Sequence, residues 1–320
     1  MIAAPCMQKL VQEYLEERRS LGFELQIAGE QLMAFARFAD QRGHGGTLTE
    51  QLIVDWVQGR AKRATPITWA RRLEIIRPFA RYCARFESAT YIPQNGTFGP
   101  GHRRLTPHIY TDQEIADLLH QAGQLHPLGG LRPATYTTLF GLIASTGLRI
   151  SEALKLQCQD VDLAHGVLTV RQTKFAKSRL VPLHPTVTSA LSRYLAFRQQ
   201  TVPSASRACF FVTATGAGLV KRTVHCVFGK LRTQLEWIAR GLHPAPRIHD
   251  LRHTFICRRV QLWHEHGVDI DNAMLALSTY VGHAKVSDTY WYLTAVPELM
   301  AVAGRSFEDF AQSARRHHHG

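Results

Sequence analysis

The chain has 320 residues, 45% apolar and 20% charged, a composition that suits a soluble globular protein of two domains. Its 38 Lys/Arg against 25 Asp/Glu leave a net charge of +13 and a pI near 9.8, which calls for a polyanionic partner, nucleic acid ahead of an anionic membrane surface. No run of about 18 apolar residues and no basic-then-apolar leader favours a membrane, and six scattered cysteines without a C-x-x-C pair argue against a zinc ribbon or a disulfide framework. Buried free thiols are expected instead.

Residues 8–40 carry helical periodicity, with Leu10, Val11, Tyr14 and Leu15 on one stripe, a stop at Gly22, and Leu32, Phe35 and Phe38 beyond it. Thr47 and Glu50 have the spacing of a capping box ahead of "QLIVDWV". Thr65-Pro66 opens a further helix, "ITWARRLEIIRPFARYCARF", which Pro78 should kink or break near Arg77. Residues 88–110 are rich in Gly and Pro and show no period, as a flexible linker would. Residues 1–107 hold 15 Lys/Arg and 10 Asp/Glu (+5), and the rest of the chain holds 23 and 15 (+8). Both halves are therefore basic, as expected if each touches the same polyanion.

Thr111 and Glu114 form a second capping-box pattern, and "TYTTLFGLIASTG" reads as a buried helix ending at Gly147. "GVLTV" and "SRLVPL" are short β-type runs on either side of "RQTKFAK", a hairpin or a pair of edge strands. The remainder is mainly helical. The expected fold is mainly α with a small β-sheet or hairpin.

Three stretches carry residues suited to chemistry. "STGLRISEALKL" sets Arg149 after a glycine break, with Ser151 as N-cap and Glu152 in the first turn. Taken alone, this is also an ordinary capped helix start. "RIHDLRHTF" sets His249, Arg252 and His253 at i, i+3 and i+4, on one helical face. The His-x-x-x-His spacing suits zinc, but no glutamate follows His249 and an arginine on the same face repels a dication. A phosphate clamp fits better, because arginine offers a planar fork to two phosphoryl oxygens and histidine exchanges a proton near neutral pH. "GHAKVSDTYWYL" holds His283, Tyr290 and Tyr292. On one unbroken helix Tyr290, seven residues on, would share a face with His283, whereas Tyr292, nine on, would not.

Arg149 in "TGLRISEAL", a lysine in "TKFAKSRLVPL", His249 and Arg252 in "HDLRHTF", His283 in "VGH", and a tyrosine nine residues later stand in that order. In these motifs the chain resembles the tyrosine recombinase (phage integrase) family, which includes Xer-type recombinases and the integrases of mobile elements. The resemblance covers about residues 110–300. It implies a helical SAM-like core-binding domain over 1–92, a linker over 93–107 and a catalytic domain over 108–320 that ends in a terminal helix. It also implies that Tyr292 is the nucleophile, which fits if Ser287-Asp288 caps a new helix after "AKV". Tyr290 then packs or lines the DNA-facing wall, and Trp291 belongs to the core.

By the same resemblance Arg149 and Arg252 hold the scissile phosphate, His249 and His283 manage protons, and Glu152 supports Arg149. The general-acid lysine is Lys174, with Lys177 as the alternative, because Phe175 and Ala176 stand where the family commonly has glycines. The implied activity is site-specific DNA recombination with no metal, ATP or other cofactor. The partners are duplex DNA and further copies of the chain, from dimer to tetramer, in the cytoplasm at the nucleoid. Arg71, Arg72, Arg81, Arg103 and Arg104 are the expected DNA contacts, on two basic domains that close around the duplex. "SFEDF" is a candidate contact with a neighbouring copy. A binding-only member of the fold, or a type IB topoisomerase-like enzyme that only nicks and rejoins, would share much of this pattern.

Overall fold

The structure is a computed structural model, and it describes residues 6–59, 65–102, 104–171, 178–202 and 208–295. The chain divides into two compact units, Met1–Arg104 and Leu105–Gly320. Lys174, Lys177, Arg103 and "SFEDF" lie outside the described residues.

The first unit holds α1 (Met7–Ser20), α2 (Gln26–Gln41), α3 (Glu50–Gly59) and α4 (Pro66–Cys83). Their apolar stripes meet in one core: Val11 and Leu15, Leu32 and Phe35, Ile53 and Trp56, Ile76 and Phe79. Phe35 meets Trp56 edge-on at 5.4 Å. Contrary to expectation, α4 continues through Pro78. Ile76, Phe79, Ala80 and Cys83 are all buried on either side of the proline. That packing outweighs the one helix hydrogen bond a proline removes. The N-cap of α3 is Thr49 rather than Thr47: its Oγ1 accepts from the Leu52 N–H at 3.3 Å.

The Gly/Pro-rich stretch expected to be a flexible linker is strapped onto α4. Arg77 donates to the carbonyls of Pro93 and Gln94, both at 2.9 Å, and Arg71 donates to that of Gly101 at 2.8 Å. Trp69 packs edge-on against Phe98. Residues without helical or strand periodicity can thus be fixed by side chains reaching out from a neighbouring helix.

The second unit opens with α5 (Asp112–Gly123), whose capping box between Thr111 and Glu114 is formed, and α6 (Leu131–Thr146). Then come α7 (Ile150–Lys155), a 3₁₀ turn at Cys158–Asp160, and strands β1 (Val161–Asp162), β2 (Val167–Val170) and β3 (Arg179–Pro182). The strands form an antiparallel sheet in that order, with Val170 opposite Arg179 and Val167 opposite Pro182. Helices α8 (Pro185–Thr201), α9 (Lys221–Gln234), α10 (Ile248–Glu265), α11 (Ile270–Val281) and α12 (Ser287–Ala295) follow. The chain is thus mainly helical with one small sheet.

Leu139, Phe140, Ile143, Leu168, Val181, Leu191, Phe210 and Phe211 form the main core. A second cluster of Ile256, Cys257, Val260, Met274, Leu277, Val281 and Tyr292 fastens α10, α11 and α12 together. The N-cap of α7 is Arg149 rather than Ser151, which is already helical. Of the six cysteines, all free, Cys83 and Cys257 are buried, whereas Cys6 and Cys226 are exposed. None of the described helices is long and apolar enough to cross a membrane.

Candidate active site

Two backbone breaks bring the sequence motifs together. Helix α6 stops at Gly147, whose φ of +65° is left-handed, and a Cβ there would come within 2.6 Å of the Phe255 ring. The chain turns at that point and starts α7 with Arg149 at its mouth. Helix α11 ends in a second break at Gly282 (φ +70°), which delivers His283. The segment between α11 and α12 is therefore a turn, so one continuous helix through His283 and Tyr290 does not exist.

The carbonyls of the second break act as a rack for arginines. Val281 O accepts from Arg252 Nη2 at 2.8 Å, and the adjacent Gly282 O accepts from Arg149 Nη2 at 3.0 Å. Arg252 Nη1 also donates to Gly147 O at 2.7 Å. Guanidinium groups 103 residues apart in sequence are thus held side by side by two neighbouring peptide units. Arg252 is 1% exposed, and burial and the neighbouring Arg149 cation lower its pKa to about 10. Arg149 keeps about a third of its side chain open.

Glu152 supplies the compensating negative charge. Its carboxylate accepts from Arg149 N at 2.9 Å and Arg149 Nη1 at 2.8 Å. It also accepts from Arg179 Nη1 at 3.2 Å and Nη2 at 3.0 Å. Burial opposes the charged carboxylate, but the Arg179 hydrogen bonds and charge and those of Arg149 prevail, and its pKa is lowered.

Tyr292 lies within the field of the Arg252 and Arg149 cations. The phenol is 4% exposed, and burial raises its pKa to about 12 against the pull of the Arg252 cation. Tyr290 and Trp291 are half-buried and flank the second core cluster, so the core position expected for Trp291 belongs to Tyr292. Helix periodicity turns only one of three consecutive aromatic side chains fully inward.

Two histidines flank the phenol, and a third stands beside one of them. His283 is stacked parallel to the phenol with ring centroids 6.0 Å apart, and its Nδ1 pairs with Thr289 Oγ1 at 2.7 Å. His253 lies 5.1 Å from the phenol ring, and His249 lies 4.6 Å from His253. His249 has an edge open to solvent; burial of its inner side and the Arg252 and Arg247 cations lower its pKa to about 4. Burial and the Arg252 cation lower that of His283 to about 3. Both rings are neutral at pH 7 and can accept a proton.

Arg149, Glu152, His249, Arg252, His283 and Tyr292 therefore occupy one site. The proposed DNA contacts are less uniform. Arg72 donates to Val57 O at 2.9 Å beneath the Trp56 ring, and Arg71 is tied to Gly101, so both have structural engagements. Arg81 and Arg104 are exposed. Sequence reasoning missed Arg179 and Thr289 as members of the site, and gave His253, which shares a helical face with His249 and Arg252, no role of its own. Arg179 had a signal: it shares the inward face of its strand with Val181, and an arginine there needs a buried anion. Among the described residues no cluster of His, Cys, Asp or Glu could hold a metal ion.

Comparisons with known proteins place the chain in a family. The profile of the phage integrase family matches residues 109–298. The protein named integrase/recombinase y4rB of Sinorhizobium fredii is 39% identical over 307 residues, 94% of this chain and 96% of its own. Tyrosine recombinase XerC of Chlamydia caviae is 27% identical over 235 residues, 73% of this chain and 68% of that protein. Among solved structures, the XerH site-specific recombinase bound to palindromic difH substrate in a post-cleavage complex aligns with a TM-score of 0.65. It is 17% identical and covers 95% of this chain and 86% of that one, a likeness of fold alone.

Proposed function

The chain belongs to the phage integrase family of tyrosine recombinases, and we propose that it cuts and rejoins duplex DNA at a specific site through a covalent 3′-phosphotyrosyl link on Tyr292. The observation that carries this reading is the pairing of two guanidinium groups on the adjacent carbonyls of Val281 and Gly282, with the buried Tyr292 phenol in the field of both.

A phosphodiester is a monoanion that repels nucleophiles, and its transition state places more charge on the non-bridging oxygens. Arg149 and Arg252 stabilise that charge from fixed positions, without reorganising at the moment of reaction. Neutral His249 takes the phenol proton as the Tyr292 oxygen bonds to phosphorus. The bond from phosphorus to the 5′-oxygen breaks, and that oxygen takes a proton from Lys174. His283, oriented by Thr289, donates to a phosphate oxygen. The phosphotyrosyl bond conserves the energy of the broken one, so a 5′-hydroxyl from a second strand reverses the step with no nucleotide cofactor. Tyr292 is buried whereas Arg149 and His249 are open to solvent, so the phenol moves outward when DNA occupies the site.

The two basic units bind DNA mainly through phosphates, and strand exchange takes place within an oligomer of this chain. Affinity should then fall steeply with added salt as counterions are released. Arg81 is the favoured N-terminal contact of the expected set, because Arg71 and Arg72 hold backbone carbonyls.

The test uses a nicked duplex carrying the genomic site mapped by covalent trapping. Wild type should form an adduct that survives denaturation, and Tyr292→Phe should form none. A Tyr292→Phe adduct would contradict the assignment, and no adduct with wild type would favour a binding-only protein. Relaxation of supercoiled DNA without strand exchange on two-site substrates would favour a topoisomerase-like enzyme.

A further inference from the structure

We infer that Arg179 is a positioning residue for this reaction, holding Arg149 in its phosphate-binding pose without touching the phosphate. The inference rests on the function proposed above.

Every nitrogen of the Arg179 guanidinium group is engaged within the protein. Nη1 and Nη2 fork onto Glu152, and Nε donates to Tyr280 O at 2.8 Å. The side chain is 10% exposed. Glu152 in turn accepts four hydrogen bonds, two from Arg179 and two from Arg149, which fills a carboxylate's capacity. The fourth member is Gly282. Its backbone lies so close that a Cβ would be 2.6 Å from Arg179 Nη1, and its carbonyl accepts from Arg149 Nη2.

Arg179, Glu152, Arg149 and Gly282 therefore form a closed ring. Both Arg149 Nη atoms are held, one by Glu152 and one by Gly282, and Arg179 is bonded to the first and packs against the second. The ring also fastens β3 to α7 and to the turn that presents His283. A planar, forked cation can make all three engagements at once, whereas the single ammonium of lysine cannot reproduce them. Displacing a positioned group by about 1 Å costs on the order of 100-fold in rate, so such a brace matters although it touches no substrate.

The test compares adduct formation on two versions of the mapped DNA site. One has the natural scissile phosphodiester. The other has a methylphosphonate there, in which a methyl group replaces one non-bridging oxygen and removes the negative charge. A variant whose defect is loss of a phosphate-binding cation is impaired most on the charged substrate. Arg149→Ala defines that signature. Arg179→Gln should slow cleavage of the phosphodiester by on the order of 10- to 100-fold, the range for groups that orient a reacting residue from behind. Its phosphodiester-to-methylphosphonate rate ratio should fall below that of wild type, in the direction set by Arg149→Ala.

The ratio does not depend on the fraction of folded protein. If Arg179→Gln cannot be obtained folded, Arg179→Lys, which keeps the buried charge, is read in the same way. A ratio equal to that of wild type, with both rates lowered together, would show that Arg179 only holds the fold and would overturn the inference. Wild type inert on the phosphodiester would instead overturn the functional reading on which it rests.

Discussion

Arginines fasten backbone in both units, with different outcomes. In the N-terminal unit Arg71, Arg72 and Arg77 each reach a carbonyl and strap irregular chain to α4 or fix the end of α3. In the C-terminal unit Arg149, Arg179 and Arg252 also donate to carbonyls, but these belong to two breaks and bring the guanidinium groups together around one carboxylate. Charge alone does not separate the two cases, since both units are basic. What separates them is convergence: cations gathered at low exposure, with Arg149 left partly open, suit the phosphate of the proposed reaction, whereas cations tied one by one to a strap make structure.

The most severe way to break this contrast is to remove one gathered cation. Arg252→Ala should lower the rate of adduct formation by about 10²–10³-fold, the usual cost of deleting a fixed donor to developing charge. Rapid-quench cleavage assays measure it, and a loss below tenfold would mean that Arg252 serves structure, as Arg72 does. Gly282→Ala comes next. Its added Cβ would press on Arg179 and strain a left-handed backbone, at a cost of about 1–3 kcal/mol. Thermal unfolding should show that loss together with impaired cleavage, and an unchanged Tm would mean that Arg179 yields freely.

The histidines sharpen the contrast further. An unfolded histidine titrates near 6.5, whereas His249 and His283 are lowered in the fold to about 4 and about 3, mainly by burial. The unfolded chain thus binds protons that the native one refuses. This contribution to stability is complete above about pH 6.5 and is lost as pH falls toward 4 and 3. Unfolding followed across that range should show the decline, and a His249→Gln/His283→Gln variant should show a shallower one. The smallest effect is expected at Arg72→Ala. It should lower stability by about 1 kcal/mol, since the bond is charge-assisted but half exposed, and leave the chemical step of cleavage unchanged. A slowed chemical step at saturating DNA would place Arg72 with the gathered set.

Much of this site is legible in the chain itself. Arg149, His249, Arg252 and His283 sit in short local patterns, and the family resemblance those patterns carry points to Tyr292 rather than Tyr290. Arg179 and Thr289 were less visible for opposite reasons. Arg179 is defined by partners 27 and 101 residues away, which no local pattern encodes. Thr289 is close to His283 in sequence, but only the turn between α11 and α12 aims its hydroxyl at the ring. In the N-terminal unit the apolar stripes predicted the helices. Whether Arg71 and Arg77 were free or tied to carbonyls depended on the path of residues 88–102, which have no periodicity to read.

The proposed reaction is defined by which oxygen bonds to phosphorus. Trapping the adduct on a nicked site, digesting both polymers and sequencing the surviving peptide by mass spectrometry reads that directly. A nucleotide remnant on Tyr292, with Tyr290 unmodified, is the expected result. A remnant on Tyr290 or any other residue would contradict it.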